Sequence, residues 1–134
     1  MAHLKQTSCR FLIELIPYSR HLYVSLGESD ARLKAGLTRL MSSSRVEEWV
    51  ELIGPQQPAE DGKTAFIQGS GIVLRLRDYP TDARQYGVLA HEVFHAVEYL
   101  FASVGLPHEA QTSSEAWAYM IGYIHQQIYN QLWE

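Results

Sequence analysis

The sequence has one cysteine, no long apolar run and no basic residue beyond Arg84. Cys9 has no second cysteine with which to form an internal disulfide, so nothing indicates an oxidising compartment. No apolar stretch approaches the roughly 18 residues of a membrane-spanning helix. The stretch after Arg10 is too short, and too interrupted by Glu14, for a secretory signal. These absences predict a cytoplasmic protein with no membrane partner.

Charge is unevenly distributed along the chain. The formal net charge is −4, and all eleven Lys and Arg residues precede position 85. Residues 85–134 contain five glutamates and four of the six histidines. Without clustered cations this half is a poor surface for phosphate, so nucleic-acid binding is disfavoured. Glutamate and histidine without competing cations are instead compatible with a metal site.

Length and composition predict one globular domain spanning residues 1–134. The chain is 46% hydrophobic and 19% charged, which is typical of a folded protein. Alternating side chains and turn residues predict strands at residues 10–16, 21–26, 64–68 and 71–77. The last two would form a hairpin around Gly69 and Ser70. We expect a twisted, mostly antiparallel sheet of three or four strands in an α+β fold.

Helical spacing of apolar residues predicts two helices before this hairpin and two after it. The predicted helices are one capped by Ser29 or Asp30, one at 44–53, one from Asp82 to about Val104, and one from Thr112 or Ser113 to Leu132. Gly105 fits a left-handed position at the end of the third helix, with Leu106 folding back on Phe101. The sheet would pack on the last two helices.

The strand at 71–77 would point Val73, Arg75 and Arg77 to the same side. In one interpretation the arginines belong to a solvated sheet edge that resists aggregation. In the other, this edge receives an extended peptide and the arginines meet its acidic groups.

The segment His91-Glu92-Val93-Phe94-His95 carries the strongest chemical signal. Two helical residues four apart are separated by about 40° around the axis and about 6 Å along it, so both imidazoles can reach one ion. Glu92 would lie about 100° away, where it reaches a water on that ion rather than the ion itself. Zinc lowers the pKa of its water toward about 7, and an adjacent carboxylate takes the proton. We therefore predict Zn²⁺ held by His91 and His95, with Glu92 as catalytic base.

The alternative is an ordinary amphipathic helix in a metal-free domain. The apolar residues around the motif predict that this helix is largely buried. They are Val88, Leu89, Val93, Phe94, Val97, Leu100 and Phe101. Burying two histidines and a glutamate is costly unless something satisfies them. This reasoning favours the metal.

Two histidines do not hold zinc tightly, and a third protein ligand is needed. Glu115, twenty residues after His95, is the predicted third ligand. Its alternative role is in a capping box with Thr112. Glu98 shares a helix face with both histidines, so it could be a ligand, a hydrogen-bond partner of an imidazole, or a surface salt-bridge residue.

An amide hydrolase also needs a donor to the developing oxyanion. Tyr119, four residues after Glu115, is the first candidate, with Tyr123 and His125 as others. Aromatic residues at this spacing are alternatively packing residues. His108 and Glu109 would lie on the connecting loop, either lining a cleft or simply solvated.

The runs HEVFHAVEYL and SSEAWAY resemble the gluzincin zinc metallopeptidases, in particular minimal single-domain members and small metallopeptidases encoded by bacteriophages and prophages. The resemblance covers about residues 71–125. It implies a zincin-like fold, zinc bound by His91, His95 and Glu115, and Glu92 as general base and acid. It also implies that the strand near 71–77 borders the cleft.

The leading hypothesis is a zinc-dependent endopeptidase acting on a peptide or protein in the cytoplasm, which would be the host's if the gene belongs to a phage. The alternative is a non-catalytic zinc-bearing structural or interaction domain, which the same resemblance would trace to a phage or prophage. Nothing in the sequence indicates an oligomeric state.

Overall fold

The computed structural model describes residues 7–53, 61–67 and 71–133. Their elements are β1 (Cys9–Leu15), β2 (Arg20–Leu26), α1 (Asp30–Thr38), α2 (Ser43–Ile53), β3 (Gly62–Ile67), β4 (Gly71–Leu76), α3 (Ala83–Val104) and α4 (Ser114–Leu132). A ββαα unit therefore occurs twice in succession. The predicted α+β class, the four strands and the two helices before the second hairpin are confirmed. None of the helices in these ranges is long and apolar enough to cross a membrane.

The four strands form one mixed sheet in the order β1-β2-β4-β3. β1 pairs antiparallel with β2, and β3 pairs antiparallel with β4, so each unit begins with a hairpin. β2 and β4 run parallel, with Val24 opposite Leu74, and this seam joins the two hairpins. Local patterns do not predict the seam because its partners are far apart in the sequence. The predicted turn at Gly69 and Ser70 lies outside the described residues.

The central strands are buried on both faces because helices cover each side of the sheet. Alternate side chains of a strand point to opposite faces, so each face has its own core. The core under α3 and α4 includes Leu22, Val24, Leu26, Ile72, Leu74, Leu76, Leu89, Val93, Val97 and Ile124. The core under α1 and α2 includes Tyr23, Leu33, Leu37, Val46, Trp49, Ile53 and Val73. The domain thus has three layers, with the sheet in the middle.

Local capping sets both ends of α3 where the sequence predicts them. The Asp82 carboxylate accepts a hydrogen bond from the Gln85 N–H at 2.8 Å. At the other end Gly105 has a φ of 75°, and the Leu106 N–H donates to the Phe101 carbonyl at 2.8 Å. This is the bonding of a Schellman motif, in which glycine takes the left-handed position without strain. Both ends of the helix that carries the histidines are therefore fixed.

Neither predicted role of Arg75 and Arg77 at a sheet edge is correct. β4 lies inside the sheet, between β2 and β3, and Arg75 is only 2% exposed. The Arg75 guanidinium donates to Asp30 Oδ1 and to two backbone carbonyls. Arg77, just beyond the strand, pairs with Asp61 at 3.0 Å. Alternation identifies the face on which a side chain lies, but it does not reveal which strand or helix covers it.

Candidate metal centre

His91 and His95 lie one turn apart on α3 with their ring nitrogens facing each other. The two Nε2 atoms are 3.1 Å apart, and the ring centroids are 4.7 Å apart. For an ion about 2.05 Å from each nitrogen, the N–ion–N angle would be about 98°, which is close to the tetrahedral value. In the metal-free protein the same separation suits an N–H···N hydrogen bond, whose proton a metal ion would replace. The pair therefore fits two ligands of one zinc ion.

Glu98 sets the orientation and tautomer of the His95 ring. His95 Nδ1 lies 2.7 Å from Glu98 Oε1, so the ring donates its Nδ1–H to the carboxylate. The lone pair of His95 then lies on Nε2, the atom that faces His91. Of the three interpretations of Glu98, this contact supports that of imidazole partner, the arrangement common behind metal-binding histidines.

Glu92 is the buried member of the motif. Its side chain is 8% exposed, whereas that of His91 is 66% exposed. Oε1 accepts a hydrogen bond from the Thr64 hydroxyl at 2.8 Å, and Oε2 lies 3.9 Å from His91 Nε2. The carboxylate thus has one oxygen held by β3 and the other near Nε2 of His91. Sequence reasoning missed Thr64, because no local signal links a strand residue to a helix 28 positions later.

The helix is less buried than its apolar content predicts. Leu89, Val93 and Val97 are fully buried, but Phe94 is 45% exposed and His91 lies on the open side. The reason is geometric, since the sheet covers one face of α3 and α4 covers only part of the rest. The predicted burial of both histidines is wrong, because the side chains of His91 and His95 are 66% and 42% exposed, and their burial therefore does not favour a compensating metal. The case for a metal rests instead on the convergence of the imidazoles.

The structure does not bring Glu115 into a three-ligand site with the histidines. In residues 7–53, 61–67 and 71–133, no three His, Cys, Asp or Glu side chains are grouped to hold a metal ion. Glu115 is exposed in the first turn of α4. The N-cap of that helix is Ser113, and Thr112 donates instead to Glu109 at 2.8 Å, so the capping box that was the alternative role of Glu115 is absent. The ligand role of Glu115 stays a prediction.

The three candidate oxyanion donors differ in their surroundings. Tyr119 is 75% exposed on α4. The Tyr123 hydroxyl donates to the Glu14 carbonyl at 2.8 Å, which ties α4 to β1. His125 Nδ1 bonds the Ile121 carbonyl at 2.8 Å. Tyr123 and His125 therefore have structural partners, and Tyr119 stays the candidate for the catalytic role.

A groove of about 730 Å³ begins at His95 and follows the end of α3 toward the α3–α4 loop. Trp117 forms its apolar wall, and the His108 ring lies 4.9 Å from that indole. His108 thus lines a cleft next to the histidine pair, one of the two alternatives for this loop. Glu109 instead bonds Ser113 and Thr112 within the loop.

Comparison with known proteins adds no relative. No protein-family model matches the sequence, and no curated protein or solved structure is significantly similar to it. The resemblance to gluzincins therefore depends on the motif residues alone.

Proposed function

We propose that this protein is a zinc-dependent hydrolase that cleaves peptide bonds. His91 and His95 would hold the metal, Glu92 would act as base, and Glu115 would complete the ligand set. The observation that carries the proposal is the imidazole pair, with its Nε2 atoms 3.1 Å apart.

The hydrogen bond between His95 and Glu98 supports a ligand role for that histidine. This bond keeps the ring proton on Nδ1 and leaves a lone pair on Nε2, and a neutral imidazole in this form binds zinc. The exposure of both rings supports catalysis rather than a structural site, because a structural zinc is normally enclosed by four protein ligands.

Zinc, when bound, would polarise a carbonyl group and lower the pKa of water. Glu92 would take a proton on Oε2, which lies 3.9 Å from His91 Nε2, and would return it to the leaving nitrogen. Because Glu92 is shielded from bulk solvent, it would keep the proton accepted from the attacking water until the leaving nitrogen takes it.

Glu115 would have to approach His91 and His95 when zinc is added. It lies in the first turn of α4, and its carboxylate is exposed. Because the capping box with Thr112 is absent, the Glu115 carboxylate does not have the capping role that was the alternative to a ligand role. Loss of zinc affinity in Glu115→Ala would support this ligand, and unchanged affinity would contradict it.

The substrate edge is β3 in this proposal, not the strand at 71–77. β3 is the terminal strand of the sheet, and it packs against α3 next to Glu92. A terminal strand can pair its free backbone groups with an extended peptide. A peptide bound there would pair with the strand that holds Glu92.

The test combines metal analysis with Glu92→Gln. We expect about one zinc per chain in both proteins, and about a 10²- to 10⁴-fold loss of hydrolysis of a peptide library in the variant. Glu51→Gln, an exposed glutamate on α2, is the matched control and should retain activity. A Glu92→Gln variant as active as the parent would overturn the mechanism. Zinc binding without hydrolysis by the parent would favour the non-catalytic module.

A further inference from the structure

The edge strand holds Glu92 by a contact that the proposed chemistry does not itself require. Thr64 Oγ1 lies 2.8 Å from Glu92 Oε1 and 3.1 Å from the Glu92 carbonyl oxygen. The hydroxyl has one proton for these two acceptors, and an ionised carboxylate is the stronger one. Thr64 therefore donates to Oε1. The contact joins β3 to α3, and it forms because these two elements pack against each other.

Gly62 makes room for the same side chain. A Cβ atom at this position would lie 3.0 Å from Glu92 Cγ and 2.8 Å from Leu76 Cδ2. Gly62 and Thr64 are two residues apart on one strand, so they lie on the same face of the sheet. One of them accommodates the stem of Glu92, and the other binds its carboxylate.

This arrangement leaves the two carboxylate oxygens in different situations. Oε1 is bound to Thr64, whereas Oε2 lies 3.9 Å from His91 Nε2. A glutamate has three side-chain torsions, and without a tether its carboxylate would sample several orientations. The hydrogen bond on one oxygen therefore decides where the other points.

We propose that Thr64 is a positioning residue that directs Oε2 of Glu92 toward Nε2 of His91. The inference depends on the proposed function for its catalytic meaning, because Glu92 is the base only in that function. Since β3 is also the proposed substrate edge, the base and the peptide would be aligned by the same strand.

The test compares Thr64→Val, which removes the hydroxyl and keeps the shape, with Thr64→Ser, which keeps the hydroxyl. In crystal structures of the metal-free proteins, we expect one Glu92 conformation in the parent and in Thr64→Ser. In Thr64→Val we expect a displaced carboxylate or several rotamers. Thr64→Ala serves the same comparison if the valine variant does not fold. Thr38→Val, which removes an exposed hydroxyl on α1, is the matched control.

Kinetics give the second measurement. We expect kcat of Thr64→Val to fall at least about tenfold, with KM and zinc affinity within about twofold of the parent, because the lost hydroxyl binds Glu92 and the substitution leaves the backbone groups of β3 in place. Thr64→Ser should recover most of kcat. A residue with a purely structural role would lower the melting temperature without this split between kcat and KM.

The outcomes separate this inference from the proposed function. A Glu92 carboxylate that keeps its place in Thr64→Val overturns the positioning role, whether or not the protein hydrolyses peptides. A displaced carboxylate with unchanged kcat also overturns it. A displaced carboxylate in a protein whose parent is inactive supports the role of Thr64 in holding Glu92 and overturns peptide hydrolysis.

Discussion

The two faces of the sheet carry polar groups in opposite states of solvation. Under α1 and α2, Arg75 and Glu28 are each at most 3% exposed, and Asp30 and Ser25 supply partners to them. On the other face, the His91 and His95 side chains are 66% and 42% exposed. Their Nε2 atoms face each other on the open side of α3.

This difference separates charges that hold the fold together from groups that can bind a ligand. A buried charge is tolerated only when it is paired and hydrogen-bonded. Its polar atoms are then occupied by protein partners and cannot bind a ligand. Exposed imidazoles have little desolvation cost and keep a lone pair for a metal. The metal ligands are therefore expected where polar atoms converge without being fully paired, and the buried Glu92 beside them keeps one carboxylate oxygen that Thr64 does not bind.

Removing Arg75 should have the largest effect on stability. Arg75→Met leaves Asp30 and two buried backbone carbonyls without their donor, so we expect a loss of about 3 kcal/mol in the free energy of unfolding by urea. Arg84→Met is the matched control, because Arg84 pairs with Asp61 at the surface. It should cost no more than about 1 kcal/mol. Equal losses in the two variants would contradict the contrast between the faces.

Removing Glu98 should affect metal binding and leave the fold intact. Glu98→Ala frees the His95 ring to rotate and to change tautomer, so we expect zinc affinity to fall about 10- to 100-fold in a chelator competition. The unfolding free energy should change by less than about 0.5 kcal/mol, because Glu98 is exposed. Glu47→Ala, an exposed glutamate on α2, is the control. Unchanged zinc affinity would mean that Glu98 does not orient the ligand.

Tyr23→Phe should have the smallest effect at neutral pH. Burial raises the pKa of Tyr23 to about 12, with Glu28 adding to the rise and Arg10 opposing it. Its hydroxyl lies near the Arg10 guanidinium but makes no hydrogen bond of normal geometry in the described part of the chain, so its loss should change stability by less than about 0.5 kcal/mol at pH 7.

The alkaline behaviour of the same variant tests the pKa. The unfolded chain releases the Tyr23 proton near its usual pKa of 10, before the folded protein does. Stability is therefore retained below about pH 10 and lost as the pH rises toward 12. Tyr23→Phe should flatten that loss in unfolding measurements across this range. Tyr123→Phe, which removes a hydrogen bond to Glu14, should instead cost about 1 kcal/mol at pH 7.

The parts of the fold that were predictable from the sequence are those set by local interactions. Asp82 and Gly105 define the ends of α3 through bonds within a few residues, and the spacing of His91 and His95 follows from helix geometry. Turn residues and alternation likewise located the strands.

The remaining features depend on contacts between distant segments. The parallel pairing of β2 with β4 decides that Arg75 is buried, and the packing of β3 on α3 brings Thr64 to Glu92. Neither contact has a signal in the residues around it. The open side of α3 was also unpredictable, because apolar content does not reveal how much of a helix its neighbours cover.

The twofold occurrence of the ββαα unit has a consequence for how the molecule could be divided. Every candidate ligand lies in the second unit, yet β2 and β4 meet in a seam with Leu22, Val24, Ile72 and Leu74 buried. α2 packs on β3 and α4 packs on β1, so each half reaches across to the other. A fragment beginning at β3 would expose an apolar parallel edge and seek a replacement strand, from the missing half or from another copy of itself. The half without His91 and His95 is in this sense a built-in subunit of the half that has them.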